Sequence, residues 1–184
     1  MREVEVKVLD IDRAVVESAL AGMGAKLEPE QRLTAVFFDF PDGRLRAGGQ
    51  LLRLRLEGDR AMLTHKGRVR EEGAKVREET EVEVGDFEGC RRLLSALGLV
   101  ETAYVDKFRT SYRLGTAAIA IDRHVGELSF IPELLEIEAG SVEEIRSVAG
   151  RLGFSPDQLR PWGLPQVVAH YRGRGQSGTA FPSR

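Results

Sequence analysis

A chain of 184 residues has the size of one domain and is long enough to bury a core without disulfide or metal staples. Hydrophobic residues at 42% and charged residues at 30% describe a soluble folded protein, and a formal net charge of −2 offers no global field for nucleic acid or an anionic membrane surface. The only cysteine, Cys90, excludes an internal disulfide framework and a cysteine-built metal site.

The chain opens on strand alternation: in MREVEVKVLD, Glu3, Glu5 and Lys7 take one face while Val4, Val6 and Val8 take the other. This start has no basic residues leading into an apolar run, and no segment nears the roughly 18 apolar residues of a membrane span. The expectation is a cytoplasmic protein, neither secreted nor inserted. Residues 12–24 carry helical spacing, with Asp12 as cap, Val15, Val16, Ala19, Leu20 and Met23 on one side, and Gly24 as stop. LTAVFFDF returns to period-2 alternation, and PDGRLRAGG reads as a turn-rich hairpin connection. In LLRLRLE, Arg53 and Arg55 oppose Leu52, Leu54 and Leu56; in RAMLTHKG, Lys66 lies with Thr64 opposite Leu63. In KVREETEVEV, Arg77, Glu79, Glu81 and Glu83 line one face. A second helix is expected over 86–98, from Asp86 to Gly98, with Phe87, Cys90, Leu93, Leu94 and Leu97 together. Lys107, Arg109 and Arg113 line up in AYVDKFRTSYR, Asp122 shares a face with Ala118 and Ala120, and in ELLEIE Glu136 and Glu138 oppose Leu135 and Ile137. A third helix, 141–153, starts at Ser141, which forms a capping box with Glu144. Trp162 in RPWGLP reads as a packing residue in a loop, and RGRGQSGTAFPSR as a mobile tail rather than an RNA contact.

One weak repeat is visible: EVEVKV, EVEVGD and EIEAGS each run into a helix that stops at a glycine. The pattern predicts an antiparallel sheet whose apolar faces are covered by the three helices. Its other faces carry long Arg, Lys and Glu side chains, with the acids on the terminal strands and the bases on the middle ones. About eight strands suffice to close a barrel, and turning the charged faces inward would give it a charged interior. Buried charges need partners. The cations Lys7, Arg53, Arg55, Lys66, Arg77, Lys107 and Arg109 balance the anions Glu3, Glu5, Glu79, Glu81, Asp122, Glu136 and Glu138. The ligand this set suits has two poles, a polyanion and a hard divalent cation, as in a triphosphate with Mg²⁺ or Mn²⁺. His65, His124 and His170 share no ligand spacing, and no P-loop or Rossmann fingerprint follows a strand.

EVEVKV resembles the ExExK signature of the CYTH superfamily, the triphosphate tunnel metalloenzymes, which includes class IV adenylyl cyclases, thiamine triphosphatases and inorganic triphosphatases. FFDFPDGRLRAGGQLLRLR, LTHKG, VREETEVEV, KFRTSYR, AIDRHVGELSF and LLEIEAG are similar to the family in order and approximate spacing, over roughly residues 1–172. The resemblance implies an α+β fold, mostly antiparallel β, built as a closed eight-stranded barrel with helices packed outside. It implies a single domain over 1–172 and a Gly/Arg/Ser-rich tail over 173–184. Glu3, Glu5, Asp122, Glu136 and Glu138 would hold Mg²⁺ or Mn²⁺. Lys7, Arg53, Arg55, Lys66, Arg77, Lys107 and Arg109 would grip the phosphates, Lys7, Glu5 and Arg109 would be catalytic, and Glu79 and Glu81 would line the wall or the metal region. Tyr171 is the nearest match to a family Tyr by the last helix, and Arg160 or Arg172 to a C-terminal phosphate-binding base. The implied activity is class IV adenylate cyclase-like, taking ATP to cyclic AMP and pyrophosphate. Cyclases of that branch carry a His-Phe pair shortly before ExExK, where this chain has Met1 and Arg2. Hydrolysis of tripolyphosphate, a nucleoside triphosphate or thiamine triphosphate is therefore the alternative, followed by a non-catalytic polyphosphate or nucleotide sensor. The implied partner is the triphosphate itself, with no nucleic acid or membrane; a homodimer is compatible with the family.

Overall fold

The computed structural model describes residues 4–68, 70–71, 75–76 and 78–174. In chain order the elements are β1 (Val4–Val8), α1 (Arg13–Gly22), β2 (Lys26–Leu27), β3 (Gln31–Asp39), α2 (Arg44–Ala47), β4 (Leu51–Glu57), β5 (Arg60–Lys66), β6 (Arg70–Glu71), β7 (Lys75–Val76), β8 (Glu79–Val84), α3 (Phe87–Ala96), β9 (Val100–Leu114), β10 (Ala117–His124), β11 (Leu134–Ala139), α4 (Val142–Arg151) and α5 (Leu164–Arg174). The three expected helices form where their caps stand. Asp12 accepts from the amides of Ala14 and Val15, Asp86 from Gly89, and Ser141 from Glu144 at 3.1 Å. The Glu144 carboxylate completes its half of the cap one residue early, on the Gly140 amide at 3.2 Å.

The main sheet runs β1-β11-β10-β9-β3-β4-β5-β8, with β2 added beside β9, and every pairing is antiparallel. It curls into a half-barrel and does not close, which corrects the expected closed eight-stranded barrel. The sheet ends at β1 and β8, which do not pair with each other; at the β1 edge the backbone of Lys7 is met by Arg160 instead, through reciprocal N–H to O=C hydrogen bonds of 2.8 Å each.

Apolar side chains decide which way the sheet faces. Val16 and Leu20 of α1 and Ile145, Val148 and Ala149 of α4 pack on Val4, Val8, Ile119 and Ile137, all buried. Leu94 of α3 packs on Val36, Phe38 and Leu54. Each such side chain contributes about 1.5–3 kcal/mol by leaving water, so these helices fix the apolar face outward from the curl. On the opposite face Arg53 and Arg55, register partners of Phe37 and Ala35, have side chains only 20% exposed. That is the concave face.

α5 is additional to the three helices that the pattern predicts, and it takes in the end of the RPWGLP loop and the first residues of the expected tail. It packs Val167 and Val168 against Leu33, Ala35, Val105 and Leu134, flooring part of the concave side. The helix reaches Arg174; the rest of the expected mobile tail, 175–184, lies outside the described residues. No helix among the described residues is long and apolar enough to cross a membrane.

Candidate functional site

Directly opposed residues on antiparallel strands share a face, so the strand register assembles the site row by row. One row runs Glu138–Glu5, the next Glu136–Lys7, across β11 and β1. Ala118 and Ala120 of β10 sit opposite Glu138 and Glu136, small residues that leave room for the long charged ones. Arg109 lies opposite Asp122, and Lys107 opposite His124. Across the cup, Arg53 faces Thr64, which faces Glu81, while Lys66 faces Glu79. Glu5, Lys7, Arg53, Arg55, Lys66, Glu79, Glu81, Lys107, Arg109, Asp122, Glu136 and Glu138 thus lie on one face, as the alternation predicted. Glu3 and Arg77 lie outside the described residues.

The wall made by β9, β10, β11 and β1 is tightly paired. The Arg109 guanidinium donates to both Asp122 oxygens at 2.7 and 2.8 Å, and to Glu136 Oε1 at 2.9 Å. Lys107 donates to Asp122, and Lys7 reaches both Glu5 and Glu136, the latter at 3.0 Å. Burial alone would push the Asp122 carboxyl up, but Arg109 and Lys107 outweigh it and bring it down to about 2. Glu136 is held well below the usual carboxylate range, burial being overcome by Arg109 and Lys7. Burial disfavours the Lys7 ammonium, yet Glu136 and Glu5 keep it raised above its ordinary value. Lys107 goes the other way: burial and the adjacent Arg109 charge lower it despite Asp122.

The wall made by β4, β5 and β8 is loosely paired. Arg53 and Arg55 approach one carboxylate, Glu81, only at 3.9 and 3.8 Å, and Arg55 approaches Glu57 at 3.7 Å. Glu81 is meanwhile occupied by the Thr64 hydroxyl, which donates to it at 2.6 Å. Among the described residues the buried Nε atoms of both arginines have no hydrogen-bond partner. Burial, and then the like charge of Arg55, lower the Arg53 value, only partly offset by Glu79 and Glu81. Lys66 is the exception on this side and pairs with Glu79.

Among the described residues no three His, Cys, Asp or Glu side chains are grouped to hold a metal ion. The donor chemistry nevertheless fits a hard cation: Glu5, Glu136 and Glu138 are carboxylates on two paired strands. Mg²⁺ is commonly held by one or two carboxylates with the remaining positions filled by water and phosphate oxygens, so a preformed cage is not required.

Three residues here have contacts that the strand pattern does not show. Thr64 orients Glu81. His124, which shares no ligand spacing with the other histidines, is 6% exposed beside Lys107, and burial and that charge push it down to about 4, so it is neutral. Arg160 caps the β1 edge, and as the register partner of Lys7 it faces the cup. The signal for the last was α5: Leu164, Val167, Val168 and Tyr171 repeat at helical spacing, masked by Gly163, Pro165 and Gly173.

The model of the CYTH domain family matches residues 1–153. A Methanocaldococcus jannaschii protein named "Putative adenylate cyclase" is 31% identical over 168 residues, covering 86% of this chain and 94% of its own. A solved structure of a Pyrococcus horikoshii protein aligns with a TM-score of 0.74 at 25% identity, over 88% of this chain and 96% of its own. A Hippeastrum protein, described as a putative adenylyl cyclase with a dominant triphosphatase activity, shares the fold with a TM-score of 0.63 at 18% identity, over 96% of this chain and 98% of its own.

Proposed function

This chain belongs to the CYTH domain family, and from that premise we propose that it is a divalent-metal-dependent enzyme that processes a triphosphate held on the concave face. One observation carries the reading: Arg53 and Arg55 are shielded side by side, with Nε donors that no group among the described residues accepts. Two adjacent guanidiniums with spare donors suit the oxygens of neighbouring phosphates, which would supply the missing acceptors and charge.

Lys66 would add a third cation to that wall, and Lys107, Arg109 and Lys7 would face the phosphates from the other. The latter three are already fixed by carboxylates, so they would stabilise developing charge without reorganising. Glu5, Glu136 and Glu138 would hold Mg²⁺ or Mn²⁺, with Glu3 and Asp122 as the further candidates. When bound, the ion would neutralise phosphate charge and make the attacking oxygen a better nucleophile. Asp122 and Glu136, held ionised by Arg109, would keep that guanidinium aimed into the cup.

The specific reaction assigned is that of an adenylate cyclase, in keeping with the name of the 31% identical relative. The ribose 3′-hydroxyl of ATP loses its proton to solvent as its oxygen bonds to the α-phosphorus, the bond to the bridging oxygen breaks, and cyclic AMP and pyrophosphate leave. Hydrolysis, with water in place of the hydroxyl, is the second reading. It is favoured by the fact that the oriented charges of the strands complement phosphate groups alone.

The test is product analysis by phosphorus NMR, with ATP and tripolyphosphate supplied separately alongside Mg²⁺ or Mn²⁺. Cyclic AMP with pyrophosphate supports the cyclase. Orthophosphate, strongest from tripolyphosphate, replaces it with the hydrolase, and no turnover of either overturns the enzymatic reading.

A further inference from the structure

The segment that caps the β1 edge lies beyond residue 153, where the family match ends. Its course is unusual. Leu159 packs with the outer core beside Val4 and Val8, while Trp162 packs with the inner cluster beside Leu33 and Val168, so the chain crosses the sheet edge between them. Arg160 is the crossing point, bonded through its backbone to Lys7 at 2.8 Å in both directions. Register partners on antiparallel strands project to the same side, so the Arg160 side chain stands beside that of Lys7 at the mouth of the cup.

Arg160 is exposed, and its guanidinium lies over the Trp162 ring, 5.5 Å from its centre. His170 also meets the indole, with ring centres 5.3 Å apart and planes tilted by 56°, and it meets Tyr171 edge-on at 5.0 Å. The Tyr171 hydroxyl donates to Asp10 at 2.8 Å, which ties this aromatic stack to the loop that follows β1. A stacked Arg and Trp, in contact with His170 and placed next to a phosphate-facing lysine, is a platform for a flat heteroaromatic group.

Resting on the triphosphate reading above, we infer that Arg160 and Trp162 form a head-group platform that binds the base of a nucleoside triphosphate and so selects it over inorganic tripolyphosphate. The Arg160 charge disfavours the permanently cationic thiazolium of thiamine triphosphate, which leaves the nucleotide as the preferred occupant.

Trp162 is the only tryptophan, so its emission reports the platform directly. Titration of the full chain with ATP in Mg²⁺ is expected to give a saturable quench of Trp162. Tripolyphosphate alone should give none, and in excess it should reverse the ATP signal. Arg160→Ala, at an exposed position, is expected to raise the Kd for ATP about tenfold, while the Kd for tripolyphosphate by calorimetry changes less than about twofold. ATP binding without a change in emission, an equal loss for both ligands, or tighter binding of thiamine triphosphate than of ATP would each overturn the platform and leave the triphosphate site standing. Selective quenching without turnover would do the reverse, removing the enzymatic reading and keeping the platform. Binding of neither ATP nor tripolyphosphate would overturn both.

Discussion

The two walls of the cup carry similar residue types and hold them differently. On β9, β10, β11 and β1, Arg109 satisfies Asp122 and Glu136 at 2.7–2.9 Å, and Lys7 and Lys107 close the remaining pairs. On β4, β5 and β8, Arg53 and Arg55 share Glu81 from 3.8–3.9 Å and leave buried Nε donors without an acceptor among the described residues. The first wall spends its charge on itself and is preorganised; the second holds charge in reserve for a ligand. Removing a charge should therefore cost folding stability on one side and ligand affinity on the other.

The largest effect is expected at Asp122. Asp122→Asn leaves Lys107 and Arg109 without their main buried partner, and denaturant unfolding should show a loss of about 3–5 kcal/mol. Glu136→Gln with Glu138→Gln should lower turnover about 10²-fold or more while some triphosphate binding persists; unchanged turnover would remove the metal assignment. The acid limb of stability comes next. Because the folded Asp122 value, about 2, lies below the ordinary unfolded one, its contribution is present above about pH 4 and lost as pH falls toward 2. Thermal melts across that window should record a loss on the order of 2 kcal/mol in the wild type and less in Asp122→Asn. Thr64→Val, which removes a hydroxyl from Glu81, should cost about 1 kcal/mol. Smallest is Glu101→Gln on the outer surface, where the part-exposed pair with Arg91 is worth less than about 1 kcal/mol, and a larger loss would blur the distinction between cup and surface.

Much of this arrangement is legible in the sequence because strand alternation has a strict period of two. Leu52, Leu54 and Leu56 against Arg53 and Arg55, or Leu135 and Ile137 against Glu136 and Glu138, leave each strand one way to face. The caps at Asp12, Asp86 and Ser141 were equally local. What stayed hidden depends on contacts distant in sequence. Arg160 meets Lys7 at the open edge of β1, and no pattern within either segment announces that bridge. The contrast between the walls is hidden for the same reason: Arg53 and Arg109 look alike in their strands, and only the register that brings two carboxylates to Arg109 separates them. His124 follows Asp122 by two places, and its burial beside Lys107 comes from strand pairing rather than from any ligand spacing.

The contrast itself is best tested at Arg53, by comparing Arg53→Ala with the wild type in two readouts, the thermal midpoint and calorimetric binding of tripolyphosphate. A reserved cation predicts an unchanged or raised midpoint together with affinity weakened by about 2 kcal/mol, roughly 30-fold. Unchanged affinity, or a fall in the midpoint as large as that of Asp122→Asn, would contradict the account.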